Sequence, residues 1–343
     1  MTIKKGIAVL LALALMAGCA ALASAEENYV FGRVMYDLSH PYQQADAKWF
    51  EMYCQEIGAE AVIMDGKSSA EVMAKCIEDL IARGVDGIVI QAADAGSVSG
   101  NVQMAWDAGI PIVTFVSKSA DPLSPHVELF EAETSKEMGA KAATKWVEFY
   151  PDKPIKVGIL DLPSVQQVHE QRALAFFDGV QSVAPDAELY PVLDSGGVRD
   201  QSFAVAQDLI QAHPDVNIVY GINCDAAMGA LAAFEEAGRG KATNGIPDTE
   251  LFVSTDGTEL EAVKIFDDTS ALMITMGLSP KIFARAHLDL LMRIVSGEIP
   301  MTSDEVVNVG DVIFDAWDTT PEDFEAFLVS DYFSEPGFAA SVQ

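Results

Sequence analysis

The chain has 343 residues, with 52 Asp and Glu against 21 Lys and Arg, and a formal net charge of −31 at pH 7. A surface of this charge repels phosphate backbones and anionic lipid headgroups, which argues against nucleic acid or an anionic membrane surface as a partner. Without a predicted leader of 25 residues, about 318 remain (343 minus 25), a length that suggests two domains.

Residues 1–25 predict an export signal. Lys4 and Lys5 precede an apolar run at residues 7–17, which is too short to span a bilayer but has the length of a secretory signal. Two processing sites compete: cleavage after the Ala-Ser-Ala motif at residues 23–25, and lipidation at Cys19 in a lipobox-like Ala-Gly-Cys sequence. We favour cleavage, because a lipid on Cys19 would leave a tether of only about nine residues before the first strand. The protein is therefore expected in the periplasm or another extracytoplasmic space.

Strand-like and helix-like patterns alternate through the first half of the chain. Strands are predicted at residues 29–35, 61–64, 87–91 and 112–115, with helices at residues 42–57, 69–83 and 97–108. Each helix ends near a glycine, as helices commonly do. This alternation predicts an α/β fold with a doubly wound parallel sheet, whose strands are joined by right-handed crossovers.

A second series repeats the design. Strands are predicted at residues 155–160, 187–193, 217–220 and 251–254, with helices at residues 169–183, 200–212, 226–237 and 259–267. Two similar lobes would form a cleft between them. Because no low-complexity linker separates the two series, we expect a structured hinge.

The stretch at residues 212–238 runs from a buried strand through a polar elbow into a helix of small residues. Asn223 and Asp225 lie at the elbow. An amide and a carboxylate at this point present hydrogen-bonding groups in the crevice outside the strand ends, where open α/β sheets bind ligands. The pattern favours binding over catalysis, although Asp225 is also suited to cap the helix.

Signatures of catalysis and of metal binding are sparse. Asp161, Ser164 and His169 could form a hydrolytic trio, but no Gly-x-Ser-x-Gly elbow accompanies them. The cysteines and the five histidines show no CxxC, HExxH or other metal-ligand spacing. We therefore expect no cofactor and no metal, and an exported enzyme remains only as the alternative from a different functional class.

Five short segments carry a family resemblance. They are GVDGIVI at residues 84–90, GIPIV at 109–113, AHPD at 212–215, NCDAAMG at 223–229 and VSTDG at 253–257. Together they resemble the type I periplasmic sugar-binding proteins of the ribose-binding kind, over residues 29–315. The resemblance implies a monomeric solute-binding component of an ABC importer, which closes on a sugar or related small polar ligand and delivers it to a membrane permease. A sensory receptor for an amine, a nucleoside or a signalling ligand is the alternative.

The resemblance also implies three chain crossings between the lobes, near Glu131, Gly277 and Val309. The N-terminal lobe would then comprise residues 26–131 and 278–308, and the C-terminal lobe residues 132–277 and 309–315. Residues 316–343 extend beyond the family pattern. We expect them to form an appendage packed on one lobe, with Pro321 in the first turn of a short helix.

Ligand residues of the first lobe follow from the resemblance position by position. The loop DLSHPYQ at residues 37–43 is similar to the family's Asn-Pro-Phe-Phe loop, which places His40 at the Asn position and Tyr42 at the first aromatic position, with Gln43 following. The flat ring of Tyr42 would pack on an apolar sugar face. Gln91, at the end of the third strand, replaces a family Asn and can donate and accept hydrogen bonds.

In the second lobe, Asn223 and Asp256 match the family's Asn and Asp at the ends of two strands. An amide and an ionised carboxylate can together bind adjacent hydroxyls. Ser117 and Glu170 stand at further ligand positions but differ from the family pattern.

Three departures change the expected chemistry of the cleft. The family's Asp-Arg pair falls on Val116 and Ser117, its arginine falls on Glu170, and an expected amide falls on Leu278. A small shift of the alignment could restore a cation through His169 or Arg172. The cleft should be poorer in guanidinium groups and more acidic, with Asp37, Glu170 and Asp256 as candidate acids. A ligand with an amine group is therefore an alternative to a sugar.

The cysteines allow a structural expectation. If the first sheet has the strand order 2-1-3-4-5, the helices that carry Cys54 and Cys76 lie on opposite faces, so we predict no disulfide between them. Cys224 is expected to be a small buried residue.

Overall fold

Two mainly parallel sheets form the framework of the protein. The structure is a computed structural model, and it describes residues 29–342. The first sheet has the order β14-β5-β4-β3-β1-β2. Its strands are β1 (Val30–Met35), β2 (Glu60–Asp65), β3 (Gly87–Gln91), β4 (Ile112–Phe115), β5 (His126–Leu129) and β14 (Val306–Val309). The order 2-1-3-4-5, on which the expectation for the cysteines depended, is present, and a sixth strand is contributed from late in the chain.

The second sheet has the order β15-β13-β12-β9-β6-β7, and β8 also pairs with β6. Its strands are β6 (Lys156–Asp161), β7 (Glu188–Leu189), β8 (Leu193–Asp194), β9 (Ile218–Gly221), β12 (Leu251–Asp256), β13 (Leu272–Gly277) and β15 (Val312–Asp315). Strand β15 runs antiparallel to β13, and a small hairpin of β10 (Ala242–Thr243) and β11 (Ile246–Pro247) stands apart. The predicted α/β class with two doubly wound sheets is confirmed.

Helices cover both sheets. They are α1 (Pro41–Glu56), α2 (Ala70–Arg83), α3 (Ala95–Asp107), α4 (Ala132–Phe149), α5 (Gln166–Val168), a π-helical segment (His169–Leu174), α6 (Ala175–Val183), α7 (Arg199–Ala212), α8 (Cys224–Glu236), α9 (Glu259–Ile265), α10 (Pro280–Val295), α11 (Pro321–Asp331) and α12 (Phe338–Ser341). Between residues 29 and 342, no helix combines the length and the apolar character that crossing a bilayer requires.

The chain passes between the sheets three times, at residues 130–131, 278–279 and 310–311, and we call these segments the hinge crossings. Residues 30–129 with 280–309 are called the first lobe. Residues 132–277 with 312–315 are called the second lobe. Helix α10 returns to pack on α1, and β14 pairs with β5, so the late segment completes the first lobe.

Local signals explain several element ends. Helix α2 begins where the Ser69 side chain accepts a hydrogen bond from the Val72 N–H, and it ends at Gly84, whose φ of +72° favours glycine. The predicted strand at residues 187–193 is wrong in its extent. The structure has two short strands there, β7 and β8, and Pro191 between them cannot donate to a sheet ladder.

Helices α4 and α6 approach each other closely at two glycines. A Cβ atom at Gly139 would lie 2.0 Å from the Phe176 carbonyl oxygen, and one at Gly179 would lie 2.0 Å from the Lys136 carbonyl oxygen. The two backbones are therefore in direct contact, which anchors the helix that follows the first hinge crossing.

Residues 316–342 contact both lobes rather than the single lobe expected. Helix α11 has Pro321 in its first turn, as predicted, and its buried Phe324 stacks on Phe314 of the second lobe at 4.1 Å between ring centroids. At the end of α11, the Trp49 indole N–H of the first lobe donates to the Asp331 carbonyl at 2.7 Å, and Phe333 stacks on Trp49 at 4.4 Å.

The three cysteines within residues 29–342 are free and buried. Cys54 lies on α1, which packs against α10, whereas Cys76 lies on α2, which packs against α3. Cys224 is buried at the start of α8, and Cys19 and the predicted leader lie outside the described residues.

His287 on α10 makes the stability of the first lobe depend on pH. Neither of its ring nitrogens has a hydrogen-bond partner among the described residues, and Phe115 packs against the ring at 4.6 Å. Burial, reinforced by the nearby charge of Arg33, holds the pKa of His287 well below its usual value near 6.5. Below that value the unfolded chain takes up a proton that the folded chain excludes, so the free energy of unfolding decreases as the pH falls.

Replacing this side chain, His287→Leu, is therefore expected to flatten the pH dependence of stability. Without this histidine, the free energy of unfolding should fall less steeply as the pH decreases, by up to about 1.4 kcal/mol per pH unit below about pH 6.5. Urea unfolding of both proteins at pH 7.5 and pH 5 measures the difference. The same loss of stability in both proteins would contradict the assignment.

Candidate ligand-binding site

A cavity of about 60 Å³ lies between the lobes, at the carboxyl ends of strands from both sheets. The first lobe contributes residues at or after the ends of β1, β3, β4 and β5, and the second lobe residues at or after the ends of β6, β9, β12 and β13. The lining residues are Tyr36, His40, Tyr42, Gln43, Gln91, Phe115, Val116, Leu129, Leu162, Val168, Arg172, Ile222, Asn223, Asp256 and Leu278. The cavity thus occupies the crevice that the alternating strands predict.

Six of the eight predicted ligand residues line this cavity, and two do not. The six are His40, Tyr42, Gln43, Gln91, Asn223 and Asp256. Ser117 and Glu170 instead line a separate surface groove. Ser117 is buried and its hydroxyl donates to the Ala92 carbonyl at 3.4 Å, whereas Glu170 is exposed and accepts a hydrogen bond from Gln166 at 2.7 Å.

Two glutamines in the first lobe hold each other in place. The Gln43 side-chain oxygen accepts from the Tyr36 backbone N–H at 3.2 Å, and its amide nitrogen donates to the Gln91 side-chain oxygen at 2.7 Å. This arrangement fixes the Gln91 amide at the cavity wall. Its nitrogen donates to no described residue, so two N–H groups remain for a ligand.

Tyr42 and His40 each present a buried polar atom at the cavity. The Tyr42 hydroxyl and the His40 Nε2 atom are both buried with no hydrogen bond among residues 29–342, and both residues line the cavity. The charge nearest to His40 Nε2 is Asp225 Oδ2 of the second lobe, at 3.8 Å. Burial raises the pKa of Tyr42 well above its usual range, so the phenol keeps its proton. Buried groups of this kind normally have partners, and a bound ligand would supply them.

The second lobe contributes an amide that both caps a helix and lines the cavity. Asn223 Oδ1 accepts from the Ala226 N–H at 2.8 Å and caps α8, while Nδ2 donates to the Gly197 carbonyl at 2.9 Å. Asn223, rather than Asp225, thus caps α8, and one N–H of Nδ2 remains free of bonds to the described residues.

Asp256 stands at the end of β12 in a strained conformation. Its φ is +122°, which non-glycine residues rarely adopt, and its Oδ2 accepts from the Cys224 N–H at 3.0 Å. Burial, together with the neighbouring Glu261 carboxylate, raises the pKa of Asp256 well above its usual range. The remaining Oδ1 atom is available to accept from, or when protonated to donate to, a ligand hydroxyl.

Tyr36 and Arg172 line the cavity but are not among the eight predicted ligand residues, although Arg172 was named as one of two residues that could restore a cation. Arg172 is held by three hydrogen bonds. Its Nε and Nη2 atoms donate to the two Glu131 carboxylate oxygens at 2.6 and 2.7 Å, and its Nη1 donates to the Ile222 carbonyl at 2.7 Å. It lies in the π-helical segment, where the wider turn changes which residue faces the cleft. Its place two residues after Glu170 in the sequence could have indicated this role, because the family resemblance expects an arginine near that position.

The cavity is less acidic and more apolar than expected. Of the three candidate acids, only Asp256 lines it, because Glu170 faces outward and the Asp37 carboxylate accepts hydrogen bonds from Ser39 and Ser68. Seven lining residues have purely apolar side chains: Phe115, Val116, Leu129, Leu162, Val168, Ile222 and Leu278. Asp37 and Glu170, two of the three candidate acids, are therefore wrong as lining residues, and Arg172 does line the cavity.

Part of the considered hydrolytic trio does come together. The His169 Nδ1 atom is hydrogen-bonded to the buried Asp161 carboxylate, while Ser164 is exposed on the loop after β6. Within the described part of the chain, no group of three or more His, Cys, Asp or Glu residues is placed to hold a metal ion.

Comparisons with known proteins give consistent matches. A family model described as a periplasmic binding protein domain matches residues 31–299. The chain is 27% identical to the ribose import binding protein of Bacillus subtilis (strain 168), over 62% of this chain and 68% of that protein. It is 26% identical to the protein of the same name from Escherichia coli (strain K12), over 74% and 84%. The crystal structure of a galactofuranose binding protein superimposes with a TM-score of 0.72 at 20% identity, covers 89% of this chain and 99% of that one, and shares its fold.

Proposed function

This chain belongs to the family of periplasmic binding proteins, and we propose that it captures a sugar or closely related polyhydroxylated molecule for an ABC importer. The proposal is supported by the names of two of its relatives, which are ribose import binding proteins. The family resemblance predicted from the sequence is thereby confirmed. As in other binding proteins of two lobes, the ligand would be held without being altered and then released to a membrane permease.

The observation that carries the proposal is the set of unsatisfied polar groups around the cavity. Within residues 29–342, the Tyr42 hydroxyl and the His40 Nε2 atom are buried without a hydrogen-bond partner, and Gln91 is recorded only as an acceptor. Asn223 and Asp256 line the same cavity from the other lobe. Neutral donors and acceptors, with one arginine already paired to a carboxylate, suit a ligand with several hydroxyl groups.

Enclosure by both lobes supports release by hinge motion. The first and second lobes meet around the cavity, so separating them would open it to solvent. Export by residues 1–25, with Cys19 as the alternative lipid attachment site, would place a monomer where it meets both nutrient and permease.

The first test is a thermal-shift screen of sugars, polyols, nucleosides and amines on the purified protein, followed by calorimetry of the ligands that stabilise it. A sugar at one hundred times its Kd should add about 2.7 kcal/mol of stability. Stabilisation by amines or nucleosides alone would refute the sugar assignment. Chemical change of the ligand during incubation would indicate an enzyme instead.

Tyr42→Phe is expected to weaken sugar binding roughly 5- to 15-fold without lowering stability, because the deleted hydroxyl bonds the ligand and no described residue. Calorimetry and urea unfolding measure the two effects. Tyr190→Phe is the matched control, since that hydroxyl donates to Asp215 at 2.6 Å, away from the cavity. Equal affinity of Tyr42→Phe and wild type would contradict the site.

A further inference from the structure

Tyr332 follows helix α11 in the C-terminal tail, the name we use for residues 316–342, and it contacts the wall of the cavity without lining it. Its hydroxyl donates to the Asp256 carbonyl at 2.7 Å and lies 3.2 Å from the Leu278 carbonyl oxygen. Asp256 and Leu278 both line the cavity, whereas Tyr332 is not among the lining residues. Tyr332 is therefore placed to act on the site through the backbone of two residues that a ligand would meet.

The two carbonyl groups lie at the ends of adjacent strands in the second sheet. Asp256 ends β12 and pairs in register with Gly277, the last residue of β13, which Leu278 follows. The Asp256 carbonyl also accepts from the Leu278 N–H at 3.0 Å. A hydroxyl that reaches both carbonyls therefore holds the end of β12 against the hinge crossing at residues 278–279.

Asp256 and Gly257 form a turn that needs such support. The φ of Asp256 is +122°, and the φ of Gly257 is +72°. Backbone strain in a residue other than glycine persists only where surrounding contacts fix it. The C-terminal tail supplies a second contact here, because a Cβ atom at Gly257 would lie 3.2 Å from the Phe327 ring. The direction of the Asp256 side chain depends on this backbone conformation.

The same turn covers Cys224. Asp256 Oδ2 accepts from the Cys224 N–H at 3.0 Å, and the Cys224 Sγ atom lies 3.2 Å from the Thr258 hydroxyl oxygen. Cys224 is 1% exposed, and burial raises the pKa of its thiol well above its usual range. Alkylation of Cys224 therefore requires the turn to open, so its rate measures the stability of the turn without any ligand.

Contacts on both sides of Tyr332 fix its position. Its N–H donates to the Leu328 carbonyl at 2.9 Å, and its ring packs on Phe327 at 5.7 Å between centroids. The preceding residue, Asp331, is 7% exposed, and its carboxylate accepts from the Ser279 hydroxyl in the hinge crossing. The fold of the C-terminal tail therefore holds the Tyr332 hydroxyl at the two carbonyls.

We propose that Tyr332 is a positioning residue of the ligand-binding site, which fixes the Asp256 carboxylate in the geometry that binds a ligand hydroxyl. This inference rests on the proposed function and deepens it, because it makes the C-terminal tail a part of the site. A carboxylate that is already fixed loses less freedom when a ligand binds, so the site binds more tightly.

Tyr332→Phe removes the hydroxyl and keeps the ring. The loss of one hydrogen bond should make opening of the turn roughly 2- to 10-fold more frequent. Iodoacetamide labelling of the native protein, followed by peptide mass spectrometry, should show Cys224 alkylated faster by that factor, with the rates at Cys54 and Cys76 unchanged. An equal rise at all three cysteines, or no rise at Cys224, would overturn the inference.

Sugar binding should weaken roughly 2- to 10-fold in the same variant. Calorimetry measures the Kd for D-ribose or, where D-ribose does not bind, for the sugar that stabilises the protein most in the thermal-shift screen. Unchanged affinity alongside faster alkylation of Cys224 would refute the positioning role while sugar binding stands. If no sugar binds the wild-type protein, the proposed function fails, and the alkylation rates alone decide whether Tyr332 fixes Asp256.

Tyr150→Phe is the matched control. The Tyr150 hydroxyl donates to the Pro247 carbonyl at 2.6 Å and lies 3.3 Å from the Asp248 carbonyl oxygen, so it also reaches two backbone carbonyls, away from the cavity. Its loss should lower the melting temperature by a similar amount without changing the Kd or the alkylation of Cys224. Faster alkylation of Cys224 in both variants would attribute the effect to a general loss of stability and overturn the inference.

Discussion

Arg172→Met is expected to lower the free energy of unfolding by roughly 3–5 kcal/mol, because it leaves the Glu131 carboxylate buried without its partner. Glu131 is 1% exposed and Arg172 is 6% exposed, and the pair is bidentate. Although burial lowers the pKa of Arg172, Glu131 raises it above its usual range, so the guanidinium stays charged. Urea unfolding at pH 7 measures the loss.

The double variant Glu131→Leu with Arg172→Met is the control. Replacing both members of a buried ion pair by apolar side chains is often neutral for stability, so most of the loss should be recovered. Ligand binding should not recover, because Arg172 lines the cavity. A double variant as unstable as Arg172→Met would show that the arginine acts through packing or through its bond to the Ile222 carbonyl.

Gly139→Ala is expected to destabilise the protein by about 3 kcal/mol or more. The added methyl carbon would lie 2.0 Å from the Phe176 carbonyl oxygen and 3.0 Å from the Val180 nitrogen, both backbone atoms that cannot rotate away. Helices α4 and α6 would have to separate, and overpacking of this kind costs at the upper end of the usual range. Chemical denaturation measures the change.

Gly100→Ala is the matched control for that substitution. Gly100 lies within α3, and a Cβ there would meet nothing within 4 Å. The Gly100→Ala variant should therefore be more stable than wild type by about 0.5–1 kcal/mol, because alanine has the higher helix propensity. If Gly139→Ala were as stable as wild type, the close approach of α4 and α6 would be incorrect.

The sequence predicted the sheets better than the connections between them. Parallel strands buried on both faces are continuous apolar runs, and the glycines that end the helices mark the boundaries, so the first four strands could be predicted. The sequence analysis did not predict β5 or β14, which pair with each other at the edge of the first sheet. Their pairing depends on residues about 180 positions apart, which no local pattern encodes.

The site was predictable where a strand end alone positions the side chain. Gln91, Asn223 and Asp256 lie at strand ends and line the cavity. Arg172 was not assigned, because its position depends on a π-helical turn and on Glu131, which is 41 residues away. Ser117 was misplaced because the turn at Val116 directs the following residue away from the cavity.

The contacts of the C-terminal tail with Trp49 bear on how the two lobes can move. Trp49 and Asp331 are 282 positions apart, yet the indole N–H of one donates to the carbonyl of the other, while Phe324 holds α11 on the second lobe. The tail thus contacts both lobes, which the three hinge crossings already connect. If the lobes rotate apart as proposed, the contacts of residues 324–333 with one lobe or the other would have to break, and these residues would then contribute to the energy of opening the cleft.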